Sequence, residues 1–394
     1  MPLNVTELRQ MIRTLGARQA CRHITESLQR SAAGEIGHLR PSDFSIRDLA
    51  EGLVENGREW VQAMDPSRGD NILESMSAVD STAFSNVTGQ LLINEIMSAY
   101  DSPAFSISQA FRTMSSRLSG ERIPGLGKIG DQTESVSEGM PFPHVGFGED
   151  YIDTPQTTKR GLIVPVTKEA IFFDRTGLIL ERAREVGESL AIDKEKRCVD
   201  VMIGAVNNYK WKGTTYNTYQ SSTPWINLLA GAAYDLVDWT DLDAAELLFA
   251  DMTDPNTGEP IVINGMTILA TPARRHALNR ITNATEIRHT DTSAKTETLA
   301  ANPMTGYSPV ISQYLYSRLK ASGVSADNSK ATWFMGDPGK AFRYVENWPL
   351  TVVQAPQNSE AEFNQDIVAR FKASERGVAA VWDPRYMVKV NGHA

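Results

Sequence analysis

Residues 176–204 read TGLILERAREVGESLAIDKEKRCVDVMIG and predict one long helix. Apolar residues recur at spacings of three and four, which is the pattern of a helix with one buried face. They are Ile179, Ala183, Val186, Leu190, Cys198, Val201 and Met202. Thr176 can cap the helix start. At about 1.5 Å per residue, a helix continued to Gly204 is about 43 Å long, so it would span a whole domain.

The remaining positions of this helix are mostly charged, and we interpret them as its solvent-exposed face. They are Glu181, Arg182, Arg184, Glu185, Glu188, Asp193, Lys194, Glu195, Lys196 and Arg197.

The segment before the helix, Ser119–Arg160, is rich in glycine and proline and has few large aliphatic residues. About forty residues without a core pattern are too many for a simple connector inside a compact domain. Within it, Gly125–Gly130 reads GLGKIG and matches the dinucleotide fingerprint in letters. That fingerprint also needs a preceding buried strand and a following helix. The sequence predicts neither, so we interpret the segment as a flexible arm, followed by a strand at Leu162–Val166.

Upstream, the sequence predicts helices. Cap-type residues at Ser42–Ala50 precede a helix that reaches about Met64, and residues 65–70 read as a linker. Phe84–Leu118 also fits a helix, interrupted at Tyr100–Pro103. The first helix, Val5–Gln29, has an apolar face formed by Leu8, Ile12, Leu15, Ile24 and Leu28.

Downstream, Trp225–Lys340 reads as a mixed α/β unit. Residues 239–250 predict a helix with Thr240 and Asp243 in approximate capping-box positions. Pro260–Ala270 predicts a hairpin, because its Asn264-Gly265 pair suits a two-residue turn.

The C-terminal third predicts a helix from Thr271, with Pro272 in its first turn, and then a polar loop at 283–304. Alternating apolar residues predict strands near 351–353, 367–373 and 386–390.

Composition sets limits on function. The formal charge of −9 and a pI near 5.3 argue against a dedicated nucleic-acid reader. No apolar run approaches the roughly 20 residues that span a bilayer, and no secretory signal is evident, so folding in a cytoplasm is expected. Cys21 and Cys198 offer no disulfide framework or zinc site, and the six histidines are scattered. We find no nucleophile elbow or ligand motif, and therefore expect no enzyme activity, cofactor or metal.

The order of these segments resembles major capsid proteins of tailed bacteriophages with the Hong Kong 97-type fold. The most specific local similarity is Phe363–Arg385, which reads FNQDIVARFKASERGVAAVWDPR, and Thr167–Asp174 is similar to the approach to the long helix of that family. The resemblance covers roughly Phe84–Val390. It implies an α+β fold with an N-terminal arm, an extended loop, a peripheral domain built on a long spine helix, and an axial domain.

On this resemblance the chain divides as follows: an N-terminal helical extension or scaffold-like segment at 1–65, an N-arm and the start of the peripheral domain at 66–118, the extended loop at 119–165, the peripheral domain with its spine helix at 166–224, the axial domain at 225–340, and C-terminal strands of the peripheral domain at 341–394. Residues 1–65 could be removed by a protease or retained as a brace.

The implied function is a major capsid protein that self-assembles into hexamers and pentamers of an icosahedral shell around double-stranded DNA. The implied partners are other copies of the chain, portal, scaffold and decoration proteins, and DNA contacted without sequence preference; no membrane is involved. Such a protein is assembled in the bacterial host cytoplasm and ends in the virion. An encapsulin-like compartment and a nucleotide-dependent enzyme using Gly125–Gly130 are the alternatives.

The resemblance also suggests residues for contacts between subunits: Lys128, Glu134, Phe142, Phe147, Tyr151, Lys159, Arg160, Glu181, Arg184, Asp366 and Arg376. Some members of the fold form covalent Lys–Asn crosslinks. Asp366 stands where the asparagine is expected, and the expected glutamate falls near Ala373 or Ser374, so we predict no crosslinking.

Overall fold

The computed structural model describes residues 5–32, 45–53, 57–63, 78–124, 135–137, 140, 151–231, 234–254, 258–263, 266–290, 297–355 and 367–392. The chain forms two compact units. Unit 1 comprises Met1–Pro103, Lys159–Ile192 and Trp348–Arg376, and unit 2 comprises Ala104–Thr158, Asp193–Asn347 and Gly377–Ala394.

The described α-helices are α1 (Val5–Leu15), α2 (Ala17–Ala32), α3 (Ile46–Leu53), α4 (Gly57–Ala63), α5 (Ala78–Tyr100), α6 (Ser106–Ala110), α7 (Lys168–Phe172), α8 (Thr176–Met202), α9 (Trp239–Ala250), α10 (Arg275–Asn283), α11 (Gln313–Ala321), α12 (Ala326–Ala331) and α13 (Pro338–Ala341).

The described strands are β1 (Arg112–Ser115), β2 (Arg122–Pro124), β3 (Tyr151–Asp153), β4 (Thr158–Thr167), β5 (Tyr209–Trp211), β6 (Thr214–Tyr216), β7 (Leu228–Ala230), β8 (Thr267–Ala270), β9 (Glu286–Thr290), β10 (Glu297–Ala301), β11 (Ser308–Ile311), β12 (Trp333–Gly336), β13 (Phe342–Gln354), β14 (Ile367–Val381) and β15 (Met387–Asn391).

The predicted long helix is confirmed as α8, which ends at Met202, close to the predicted end. Its apolar stripe is buried as the spacing predicted, apart from Val186, which is half-buried. Two details differ. Glu195, assigned to the exposed face, is completely buried. The hydroxyl of Thr176, predicted to cap α8, accepts the backbone N–H of Ile46 at 2.8 Å instead.

One buried cluster forms the core of unit 1, and the N-terminal helices contribute to it. Leu8, Leu28 and Leu49 are at most 1% exposed and belong to the same cluster as Ile96 and Phe371. Because Gly16 adopts a φ of 79°, the predicted helix over Val5–Gln29 is divided into α1 and α2. The predicted second helix is likewise divided, into α3 and α4.

Helices α5 and α8 approach very closely within unit 1. A Cβ atom added at Gly187 of α8 would lie 2.3 Å from the carbonyl oxygen of Ile96 on α5. Real Cβ atoms essentially never come this close to another atom, so this crossing requires glycine.

A five-stranded mixed sheet organises much of unit 2, in the order β11, β8, β12, β15, β7. Strand β15 lies inside the sheet, and Val388 and Val390 are fully buried. The C-terminal strands therefore divide between two sheets, because β13 and β14 belong to a second sheet of order β1, β13, β14, β4. Smaller sheets have the orders β2, β3, β5, β6 and β10, β9.

Several local predictions in unit 2 were wrong. Strand β8 pairs with β11 and β12. The described residues 258–263 contain no strand that could be the first strand of the predicted hairpin. The predicted turn, Asn264-Gly265, lies outside the described residues. The capping box of α9 uses Asp238 and Asp241. Residues predicted as a polar loop form the antiparallel pair β9–β10.

The predicted helix ending at Leu118 also needs correction. It stops at Ala110, and β1 follows, pairing in parallel with β13.

Candidate assembly surface

Strand β4 is the exposed edge of its sheet. Thr158–Ile163 are all exposed, and they include two large apolar residues, Leu162 and Ile163, which are 40% and 58% exposed. Val164 and Val166 are buried in the core of unit 1. The second half of β4 therefore anchors the strand, while the first half presents a sheet edge and exposed apolar side chains, which together can receive another chain.

Gly161 lets β4 lie close to its neighbour β14. A Cβ at this position would lie 2.6 Å from the carbonyl oxygen of Ala373 and 2.9 Å from the Cβ of Ser374. The exposed half of β4 is therefore held tightly against the sheet at one point.

Two of the predicted contact residues meet around one aromatic ring. The Nζ of Lys159 lies 5.9 Å from the ring centroid of Trp348 on β13, and the Cζ of Arg376 lies 5.5 Å from the same centroid. Trp348 is half-buried, and Arg160, also predicted, is exposed next to Lys159 on β4. Cations over an indole ring are attracted by its quadrupole, so unit 1 presents a cationic and aromatic cluster beside the exposed strand.

Two further predicted residues lie on the exposed face of α8. Arg184 pairs with Glu95 of α5 at 3.3 Å, with the arginine side chain 63% exposed, and Glu181 is exposed. An ion pair this exposed contributes little to stability, so Arg184 remains accessible to other groups.

Tyr151 is engaged within unit 2. The Cζ of Arg122 lies 4.1 Å from its ring centroid. Asp153 binds Arg122 at 2.9 Å and Lys210 at 3.1 Å, and these two cations hold the pKa of the Asp153 carboxyl below its ordinary value. The small sheet around β3 is therefore tied together by charge.

The other predicted contact residues, Lys128, Glu134, Phe142, Phe147 and Asp366, lie outside the described residues, as does the Gly125–Gly130 stretch. The roles assigned to them, and the absence of crosslinking, stay predictions.

Sequence reasoning missed a buried ionic group in unit 2. Arg385 binds Asp383 through two nitrogens at 2.8 and 2.9 Å and lies 3.3 Å from Asp254, and all three side chains are buried. Burial opposes the charge on Arg385, but the two carboxylates outweigh it and raise the pKa of the guanidinium. The Asp-Pro-Arg order was a signal, since Asp383 also caps the short turn that Pro384 begins.

Within the described ranges, no three His, Cys, Asp or Glu side chains come together as metal ligands. The helices of those ranges include none with the length and apolarity needed to cross a bilayer.

Residues 151–390 match the model of a protein family described as phage capsid protein. No sequence among the curated proteins matches this chain.

Similar solved structures include three particle-forming proteins. The capsid of cyanophage Pam1 is 13% identical, with a TM-score of 0.42, over 72% of this chain and 89% of that one. The virus-like particle from Pyrococcus furiosus is 12% identical, with a TM-score of 0.38, over 75% and 96%. The SrpI encapsulin complex from Synechococcus elongatus is 12% identical, with a TM-score of 0.42, over 74% and 88%. At these TM-scores, the likenesses carry no functional conclusion by themselves.

The family match includes α8, the five-stranded sheet, β13 and β14, which are the segments whose order first resembled a phage capsid protein. The predicted α+β capsid fold of the Hong Kong 97 type is confirmed by this match together with the arrangement of helices and sheets. The chain belongs to the phage capsid protein family.

Proposed function

We propose that this chain is the major capsid protein of a tailed-phage-like particle, and that its copies assemble into the hexamers and pentamers of an icosahedral shell around double-stranded DNA. Assembly takes place in the cytoplasm of the bacterial host, and the mature shell is the virion capsid. Portal, scaffold and decoration proteins are its further partners. The chain acts as a structural protein and not as an enzyme.

The observation that supports this proposal most directly is the exposed half of β4. An edge strand with two exposed apolar side chains is a liability for a monomer, whereas in a shell it is covered by a neighbouring copy. The cluster of Lys159, Trp348 and Arg376 beside it supplies an aromatic ring and an arginine, which are residue types enriched in protein interfaces.

The net charge suits the enclosed genome. At −9 the chain is acidic as a whole, and an acidic inner surface holds DNA without strong attachment. DNA can then be packed and released without breaking strong electrostatic contacts with the shell.

Particle formation by a single variant tests the role of β4. Ile163→Asp places a charge on the exposed half of the strand, and we expect it to abolish particles seen by sedimentation and electron microscopy while the subunit stays folded. Val262→Asp changes an apolar side chain that is 70% exposed in unit 2 and serves as the matched control. Equal particle yields from the two variants would count against the proposal.

The content of the particles tests the enclosed cargo. Particles made during phage production should protect double-stranded DNA from nuclease. Particles that instead hold a protein cargo and no DNA would identify the chain as an encapsulin-like shell protein. On a denaturing gel we expect mature particles to give a single subunit band; a ladder of covalent oligomers would contradict the predicted absence of crosslinks.

The N-terminal helices, in this proposal, remain in the finished subunit as a brace. Leu8, Ile24, Leu28 and Leu49 are buried in the core of unit 1, so removing residues 1–65 would uncover a large apolar surface. The intact mass of subunits from mature particles should include this segment. A mass that lacks it would show that the segment is a removable scaffold.

A further inference from the structure

Two arginines lie side by side on neighbouring strands of unit 2. Arg112 begins β1 and is paired in register with Arg343 of β13. Side chains in register on adjacent strands project from the same face of a sheet, with the strands about 4.8 Å apart. Strand β1 is at the edge of its sheet, so Arg112 is exposed, whereas Arg343 is half-buried.

Trp382 fixes the guanidinium of Arg343. The Cζ atom of Arg343 lies 3.7 Å from the centroid of the indole ring, and Trp382 is itself only 5% exposed. Nη1 of the same guanidinium lies 3.7 Å from the Sδ of Met114 on β1. A guanidinium over an aromatic face is attracted by the ring and keeps its N–H groups as donors in its own plane.

Within the described part of the chain, neither arginine has a carboxylate at ion-pair distance. The Nε atom of Arg343 is buried without a hydrogen-bond partner among the described residues, and so is the Nε1 atom of Trp382. Burial, and secondly the charge of Arg112, lowers the pKa of Arg343. Two like charges this close are unfavourable in an isolated subunit, and an anion bound between them would relieve the repulsion.

We infer that the Arg112–Arg343 pair binds the side-chain carboxylate of an aspartate or glutamate from a second copy of this chain. Guanidinium groups bind planar carboxylates through two parallel hydrogen bonds. The chain has 48 acidic and 39 basic residues, so the surface of another copy offers carboxylates in excess, and a cationic site is complementary to it. The inference rests on the proposed function because it requires copies in contact.

Coupling chemistry tests the contact directly. Arg112→Lys places a primary amine at the site, and a carbodiimide joins an amine to a carboxylate only where the two are in contact. Particles are assembled from an equal mixture of ¹⁵N-labelled and unlabelled subunits and then analysed by mass spectrometry. We expect the peptide containing position 112 to be joined to an acidic peptide of the opposite label. Arg117→Lys, an exposed position just beyond β1, is the matched control and should give only background coupling.

Assembly measurements test the energetic contribution. The double variant Arg112→Gln with Arg343→Gln should raise the subunit concentration needed for half-maximal assembly about tenfold. Arg117→Gln should leave it unchanged. Because Arg112 is exposed, the single variant Arg112→Gln keeps the test valid if the change at Arg343 prevents folding.

The outcomes separate this inference from the proposed function. Particles that form normally but give no coupling between copies at position 112, with assembly unchanged in the variants, overturn the inference alone. Normal assembly with reduced DNA content in the double variant identifies a DNA phosphate as the anion, which also overturns it. If the unaltered chain forms no particles, the proposed function and the inference both fail.

Discussion

The carboxylate of Glu195, on the long helix α8, accepts the backbone N–H of Ser108 at 2.7 Å. Its other oxygen accepts the N–H of Ile107 at 3.1 Å. These N–H groups belong to the first turn of α6, where a helix has no internal acceptors. A buried carboxylate of α8 thus caps the N-terminus of α6.

Replacing Glu195 should therefore destabilise unit 2. Glu195→Ala leaves two buried N–H groups without acceptors and should lower the free energy of unfolding by about 3 kcal/mol. Glu195→Gln retains one acceptor oxygen and should cost about 1 kcal/mol. Glu188→Ala, at an exposed position of the same helix, is the control. Denaturant unfolding of the unassembled subunit measures all three; an effect of Glu195→Ala no larger than the control's would refute this role.

Two glycines of α8 should respond in opposite directions to alanine. Gly187→Ala forces a Cβ against the Ile96 carbonyl and should destabilise the subunit by about 3 kcal/mol, despite the better helix propensity of alanine. Gly177→Ala meets no atom within 4 Å and should stabilise by up to about 1 kcal/mol. Thermal unfolding of both variants provides the measurement. Equal midpoints would mean that α5 and α8 can move apart without a loss of stability.

The N-terminal helices should contribute to the stability of unit 1. Leu49 of α3 is completely buried, and Leu49→Ala should cost about 3 kcal/mol through the cavity it leaves. Leu15→Ala removes a side chain that is 44% exposed and should cost less than about 1 kcal/mol. If the two variants unfold at the same denaturant concentration, the N-terminal helices do not pack stably on the core.

Lys389 should give the subunit a pH dependence above neutrality. Its Nζ donates to the carbonyl of Ile203 at 2.9 Å, just beyond the end of α8, and burial lowers its pKa to about 8 from 10.5. Between these values the folded protein holds fewer protons than the unfolded chain, so the contribution of Lys389 to stability rises with pH across this window.

Compared with Lys389→Met, the unaltered protein should therefore gain at most about 3 kcal/mol between pH 8 and pH 10.5. Lys372→Met, at an exposed position of β14, should show no such difference. Unfolding titrations at several pH values provide the measurement, and a pH-independent difference for Lys389→Met would contradict the lowered pKa.

Sequence periodicity predicted α8 and the alternation along β14 because burial of one face repeats locally along the chain. It could not predict that Glu195 is buried, because the partner amides lie in α6, far away in sequence. The hairpin prediction for Pro260–Ala270 was equally local, and it could not show that β8 pairs with β11 and β12, which are distant in sequence. In α9, several acidic and hydroxyl residues compete for the capping positions, and only the tertiary fold selects Asp238.

The sequence alone could not show which of the predicted contact residues lie together. Lys159 and Arg376 were chosen from the family resemblance, and their meeting around Trp348 depends on how β4, β13 and β14 align. Arg112 and Arg343 carried no signal in the sequence at all, because only strand register brings them together.

The core of unit 1 includes Leu8 from the beginning of the chain and Phe371 from near its end. A nascent chain therefore cannot complete this core until Phe371 has been synthesised, long after Leu8. Contacts so distant in sequence form slowly and leave apolar surface exposed in the meantime. The second half of β4 is anchored in the same core through Val164 and Val166, so the β4 edge takes up a defined position only after Phe371 has joined that core.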